Sequence, residues 1–220
     1  MITDYFVKNK IFTVVPEVSD PTNRYYMVDD GGVEIEVGEF LYGLVRVLKP
    51  VNVLSTGIYS GISDLYISQA IKDNNIGRLT AVEYEKKHLE RARLMWNQAG
   101  VDGVIESILC SSIEYTPLDK YQLMFLDTEP QIRFQEFERF YPFLQEGGYI
   151  FIHDLHRHLQ QINIPGKEFA WPFGKLPDKM KELIKEGEVR VISFPTPRGL
   201  SGFYKPTKDD YESSIHSDTV

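Results

Sequence analysis

Four short apolar runs in this chain each end on residues that can do chemistry. Val51-Asn-Val-Leu-Ser-Thr leads into Gly57-Ile-Tyr-Ser-Gly61, and Leu79-Thr-Ala-Val leads into Glu83. Leu123-Met-Phe-Leu leads into Asp127, and Tyr149-Ile-Phe-Ile leads into His153-Asp154. A buried strand that breaks at glycine and gives way to a helix is the usual floor of a nucleotide-type cofactor site. The dinucleotide pattern G-x-G-x-x-G grips a pyrophosphate with backbone amides. Here Tyr59 stands in place of the second glycine, so a ligand without phosphates suits the loop better. An acid ending the next strand can accept hydrogen bonds from both hydroxyls of a ribose, the role expected of Glu83. Three of the five histidines, His153, His156 and His158, fall within six residues. Imidazole titrates near neutral pH, so it can take a proton from a hydroxyl without tuning.

The elements that position these residues follow from hydrophobic period and from breakers. Phe40, Leu41, Leu44, Val45 and Leu48 share one face of a helix over Glu36–Leu48, stopped by Pro50. Strands are then expected at Asn52–Thr56, Leu79–Glu83, Gly103–Ile108, Leu123–Asp127 and Tyr149–His153. Helices are expected at Ile62–Asp73, Lys86–Ala99 and Ile132–Leu144, with a short one near 112–115. This alternation predicts a parallel sheet with helices on both faces. The end breaks the pattern. After a helix over Leu176–Glu186, strands at Glu188–Phe194 and Leu200–Lys205 flank the turn Pro195-Thr-Pro-Arg-Gly199, which reads as an antiparallel hairpin. Arg198 reads most simply as part of that turn. Residues 1–34 are expected to cap the main domain, 35–205 to form it, and 206–220 to be a disordered tail. The 155–175 stretch, with Trp171, Phe169 and Phe173, shows no regular element and reads as a functional loop.

Composition narrows the classes of partner. The 220 residues are 42% apolar and carry a net charge of −8 with no basic block, which argues against nucleic acid and anionic membranes. Cys110 is the lone cysteine, so no intrachain disulfide forms, and the N-terminus lacks the apolar core of a signal peptide. A cytoplasmic protein is the expectation.

These residues together make the chain resemble the class I S-adenosylmethionine-dependent methyltransferases, and within them the catechol and caffeoyl-CoA type and the sugar O-methyltransferases. The glycine loop, Glu83, Phe125-Leu-Asp127 and Gly147-Gly-Tyr-Ile-Phe-Ile-His-Asp154 carry the likeness, which spans about residues 35 to 205. It implies a Rossmann-like α/β fold, a seven-stranded, mostly parallel sheet closed by a C-terminal antiparallel hairpin. It implies S-adenosylmethionine held by Ser55, Gly57, Tyr59, Ser60, Gly61, Glu83, Ser111, Ser112 and Asp127, the two serines beside the adenine. It implies Mg²⁺ or another divalent metal on Asp127 and Asp154, with His153 or Glu129 a third candidate ligand. His153, His156 and Asp154 are then the candidate catalytic residues for O-methylation of a small hydroxylated acceptor, sugar or natural product, in a chain expected to form homodimers. The departures fall on the chemistry. Ser55 replaces the usual acid of the loop, Pro130 the lysine base, and Leu155 the asparagine ligand. Three other readings stay open: an NAD(P)-dependent oxidoreductase on a related sheet, against which Tyr59 and the terminal hairpin argue, a silent binding protein on this fold, and a metal-independent N- or C-methyltransferase.

Overall fold

The computed structural model describes residues 1–15, 25–155 and 177–210. Its strands are β1 (Asn52–Thr56), β2 (Arg78–Glu83), β3 (Ile105–Leu109), β4 (Tyr121–Leu126), β5 (Leu144–His153), β6 (Arg190–Phe194) and β7 (Leu200–Tyr204). They form one sheet in the order β3-β2-β1-β4-β5-β7-β6. The first five strands run parallel, and β7 inserts antiparallel between β5 and β6. The helices are α1 (Ile2–Lys8), α2 (Ile35–Leu48), α3 (Ile62–Asn74), α4 (Lys86–Ala99), α5 (Arg133–Phe140) and α6 (Asp178–Lys185). None of them is long and apolar enough to cross a membrane.

Alternation along the strands divides the core between the two faces. Val53, Leu79, Ala81, Leu123 and Phe125 pack under Leu41 and Val45 of α2, Leu65 of α3 and Trp96 of α4. Leu54, Val82, Met124 and Ile150 meet Phe137 and Phe140 of α5 and Met180 of α6 on the other face. Each large side chain buried in this way contributes about 1.5–3 kcal/mol. The sheet is thereby held rigid enough to present its edges as a fixed platform.

Register decides what that platform carries. Thr56 lies beside Val82 and Leu126, Glu83 beside Leu109, and Leu126 beside Ile152. The carboxyl ends of β1, β2, β4 and β5 therefore share one edge, with the predicted residues just beyond it. Because β7 is antiparallel, its first residue, Leu200, pairs with His153 at that same edge. The hairpin turn that precedes β7 is delivered there as well.

The expected elements are present, with local differences. The helix expected to reach Leu144 ends at Phe140, and Tyr141–Phe143 is a 3-10 turn. Pro142 lacks the N–H needed to continue the helix. β5 consequently starts at Leu144, before the expected Tyr149. The short helix near 112–115 is a single turn, in which the Ser111 carbonyl accepts from Glu114 N and Tyr115 N at 3.0 and 2.9 Å. Leu109 extends the third strand, whose expected start at Gly103 is instead a 3-10 turn over Asp102–Val104. Within the expected tail, the Asp210 carboxylate accepts from Thr207 N at 2.8 Å and Tyr204 OH at 2.7 Å, ordering residues up to 210. Residues 211–220 and the stretch 156–176, with Phe169, Trp171 and Phe173, lie outside the described residues.

Candidate active site

The glycine loop is shaped by the closeness of two strand ends. Gly57 has φ +79°, and a Cβ there would sit 2.3 Å from the Asp127 carbonyl oxygen. Gly61 has φ +80°, and its carbonyl accepts from Trp96 Nε1 at 3.0 Å. Between them Tyr59 is also left-handed, at φ 48°. A non-glycine residue there stores on the order of 1 kcal/mol of backbone strain. Its side chain explains the tolerance. The Tyr59 ring lies against Gly31, packs edge-on to His88 at 4.9 Å, and its hydroxyl donates to Asp30 at 3.2 Å.

Glu83 ties the loop to the next strand end. One carboxylate oxygen accepts from Tyr59 N at 3.0 Å, the other from Glu85 N at 2.9 Å. Each oxygen keeps a second lone pair for an incoming hydroxyl. The side chain is only 3% exposed, so it is fixed before any ligand arrives. Ser55 is fully buried on β1, and Ser60 is buried under Gly32 of the segment that crosses the loop. That segment is tied down by Asp29, which accepts from Gly31 N and Gly32 N and pairs with Arg91 at 3.3 Å. Ser111 lies in the turn after β3, and Ser112 is buried beside Glu136 of α5.

Beyond β4 and β5 the structure gathers the three expected acid and imidazole groups. Asp127, His153 and Asp154 bring ligand-type atoms within 4.8 Å of one another. Sequence reasoning missed what surrounds them. Arg133 Nη2 lies 3.0 Å from Asp127 Oδ1 and 3.1 Å from Asp154 Oδ2. Arg198 grips Asp154 at two points, Nε to Oδ1 at 2.7 Å and Nη2 to Oδ2 at 2.9 Å. Its Nη1 also donates to the Gly32 carbonyl at 2.7 Å. Glu34 of the crossing segment accepts from Arg198 N at 3.0 Å and pairs with His153 Nε2 at 2.7 Å. Three carboxylates thus meet two guanidiniums and one imidazole.

His153 has no free nitrogen. Nε2 faces Glu34, and Nδ1 faces Asp127 at 3.1 Å, with the ring fully buried. Burial alone would favour the neutral ring, but Asp127, Asp154 and Glu34 outweigh it and push its pKa up to about 10. Those carboxylates favour the imidazolium, with both ring nitrogens engaged by Glu34 and Asp127. Burial opposes ionisation of Asp154 too, yet His153, Arg133 and Arg198 hold it well below the usual carboxylate range. His156, the other candidate base, lies outside the described residues.

Asp64 on α3 was not foreseen. It is fully buried beside Ser55, and neither carboxyl oxygen has a well-formed hydrogen bond among the described residues. Burial raises its pKa to about 7, with the charges of Glu83 and Asp127 adding to the shift against the Ser55 hydroxyl. The spacing that would have revealed it is short. Ser55 leaves room on β1 where the family's usual acid would stand, and Asp64 supplies a carboxyl from the facing helix. The folded state holds this proton more tightly than the unfolded chain, so the linked stability is full below about 3.8 and is lost as pH rises through about 7. Asp64→Asn is expected to gain on wild type in thermal midpoint over that window and to hold a constant lead above it. Parallel pH dependences for the two proteins would refute the buried-acid assignment.

A seven-stranded, mostly parallel sheet in this order, with its acids on one edge, is a Rossmann-like fold. Residues 54–155 match the family model described as "Methyltransferase domain". The catechol O-methyltransferase of Mycobacterium tuberculosis is 26% identical over 102 residues, 45% of this chain and 46% of that one. The chain spans about half the length of the curated relatives it matches. Among solved structures, an S-adenosylhomocysteine-bound methyltransferase of Podospora anserina aligns with a TM-score of 0.66 at 17% identity over 94% of both chains. An O-methyltransferase of Bacillus cereus in complex with S-adenosylhomocysteine aligns with a TM-score of 0.65 at 19% identity, over 80% of this chain and 84% of that one. The resemblance to catechol and caffeoyl-CoA-type O-methyltransferases read from the sequence is borne out.

Proposed function

We propose that this chain is an S-adenosylmethionine-dependent methyltransferase acting on the oxygen of a small hydroxylated acceptor. The observation that carries the reading is the pairing of the Gly57–Gly61 loop with Glu83 through Tyr59 N. A fixed carboxylate beside a glycine turn suits a nucleoside without phosphates, with Glu83 on the ribose hydroxyls. Ser55, Ser60 and Asp64, whose buried polar atoms lack well-formed partners, suit the polar amino-acid end of the same ligand. The relatives' names, O-methyltransferases of catechol and caffeoyl-CoA type, support oxygen as the acceptor atom.

The chemistry is an in-line displacement. The acceptor oxygen forms a bond to the methyl carbon as the carbon–sulfur bond breaks, the sulfonium takes that electron pair as a thioether, and the hydroxyl proton leaves to a base. His156 is the base we propose from the sequence, since both nitrogens of His153 are engaged by Glu34 and Asp127. The chain's own contribution is positional: a prefixed loop, a prefixed acid, and a charge-balanced floor beneath the reacting atoms.

The test is a calorimetric titration of the purified chain with S-adenosylmethionine, S-adenosylhomocysteine and NADH. Micromolar binding of the two sulfur nucleotides without NADH is the expected result. Binding of none of them would reject the assignment and favour a protein that uses this fold for another purpose.

A further inference from the structure

The catechol-type resemblance implies a divalent cation between Asp127 and Asp154, and the contacts of those two carboxylates do not fit one. A ligated Mg²⁺ or Ca²⁺ draws on oxygen lone pairs at about 2.0–2.6 Å. Asp127 Oδ1 and Asp154 Oδ2 both face a single nitrogen, Arg133 Nη2, at 3.0 and 3.1 Å. That nitrogen bridges one oxygen of each carboxylate, so an ion shared through those two atoms would have to displace it. The remaining oxygen of Asp154, which lacks a well-formed hydrogen bond, is ion-paired with Arg198 Nε at 2.7 Å. The side chain of Arg133 is 3% exposed and is anchored by donating to the carbonyls of Thr128 and His153. It cannot swing aside without breaking buried hydrogen bonds. The position of the family's third ligand points the same way. Leu155 packs against the apolar cluster under α5 and α6, and its N–H donates to Gly199 of the hairpin turn.

We propose that Arg133 and Arg198 have taken over the cation position, so that this site holds its two aspartates with guanidiniums and takes no divalent metal. The charge arithmetic matches, since two permanent single charges replace one double charge. The two arginines come from different places, the first turn of α5 and the β6–β7 turn, so together they also fasten the hairpin to the end of β5. The proposal rests on the methyltransferase reading only for the comparison with a metal site.

Mn²⁺ binding, followed by electron paramagnetic resonance on the full chain without cofactor, tests it. Wild type is expected to show no saturable binding. Arg198→Gln and, separately, Arg133→Gln are expected to gain affinity on the order of tenfold or more. Adding Asp154→Asn should abolish that gain. Stoichiometric Mn²⁺ binding by wild type that Asp154→Asn removes would overturn the proposal. So would a folded variant, judged by circular dichroism, that gains no affinity. Arg198 is the more exposed of the two, so its variant remains informative if loss of Arg133 unfolds the chain. A protein that binds no sulfur nucleotide yet excludes Mn²⁺ until an arginine is removed would keep this proposal and lose the preceding one.

Discussion

Arg133→Met is expected to lower the unfolding free energy by about 3–5 kcal/mol, a large share of the roughly 5–15 kcal/mol available to a domain. The reason is the asymmetry of buried charge. Arg133 touches Asp127 and Asp154, and both it and Asp154 are almost fully buried. Removing the guanidinium leaves two neighbouring carboxylates with one fewer counter-charge and strands the carbonyls of Thr128 and His153. Methionine fills much the same volume, so the loss reports charge rather than a cavity. Urea unfolding of the two proteins measures it. Adding Asp127→Asn to Arg133→Met should recover part of the loss, because it removes an uncompensated charge. A cost below about 1 kcal/mol would place the cluster among ordinary surface ion pairs.

Glu83→Ala is expected to weaken S-adenosylhomocysteine binding by roughly a hundredfold or more, at about 1.5–3 kcal/mol for each hydrogen bond to a charged acceptor. The substitution acts twice. It removes the carboxylate proposed for the ribose, and it frees Tyr59 N, which Glu83 holds at 3.0 Å in its left-handed conformation. Glu83→Gln keeps an acceptor for one backbone donor, so its loss should be intermediate. Calorimetry on the three proteins separates the cases. Unchanged affinity in Glu83→Ala would move the ligand away from the end of β2.

Sequence reading reached the sheet, the glycine loop and the acids at the strand ends because each is a local pattern. An apolar run, a breaker and a polar residue lie within a dozen positions. It did not reach Glu34, Arg133 or Arg198 in their roles. Glu34 meets His153 across 119 positions and Arg198 across 164, distances at which no periodicity speaks. Arg198 had one indirect signal. An antiparallel last strand beside β5 must begin at the carboxyl edge, so the turn before it lands on the site. The setting of His153 was out of reach for a related reason. Its residue type announces a base, but the three carboxylates that surround it come from two strand ends and a crossing segment.

The cluster also has an order in time. A ribosome releases Glu34 first, then Asp127, Arg133, His153 and Asp154, and Arg198 last. Until β7 slots in beside β5, Asp154 lacks the partner that grips both its oxygens, and Glu34 lacks the amide it accepts from. The central strands can collapse on their apolar faces well before that moment. Completion of the chemical site therefore coincides with insertion of the final strand, and a half-made chain keeps an uncompensated negative edge until its last hairpin arrives.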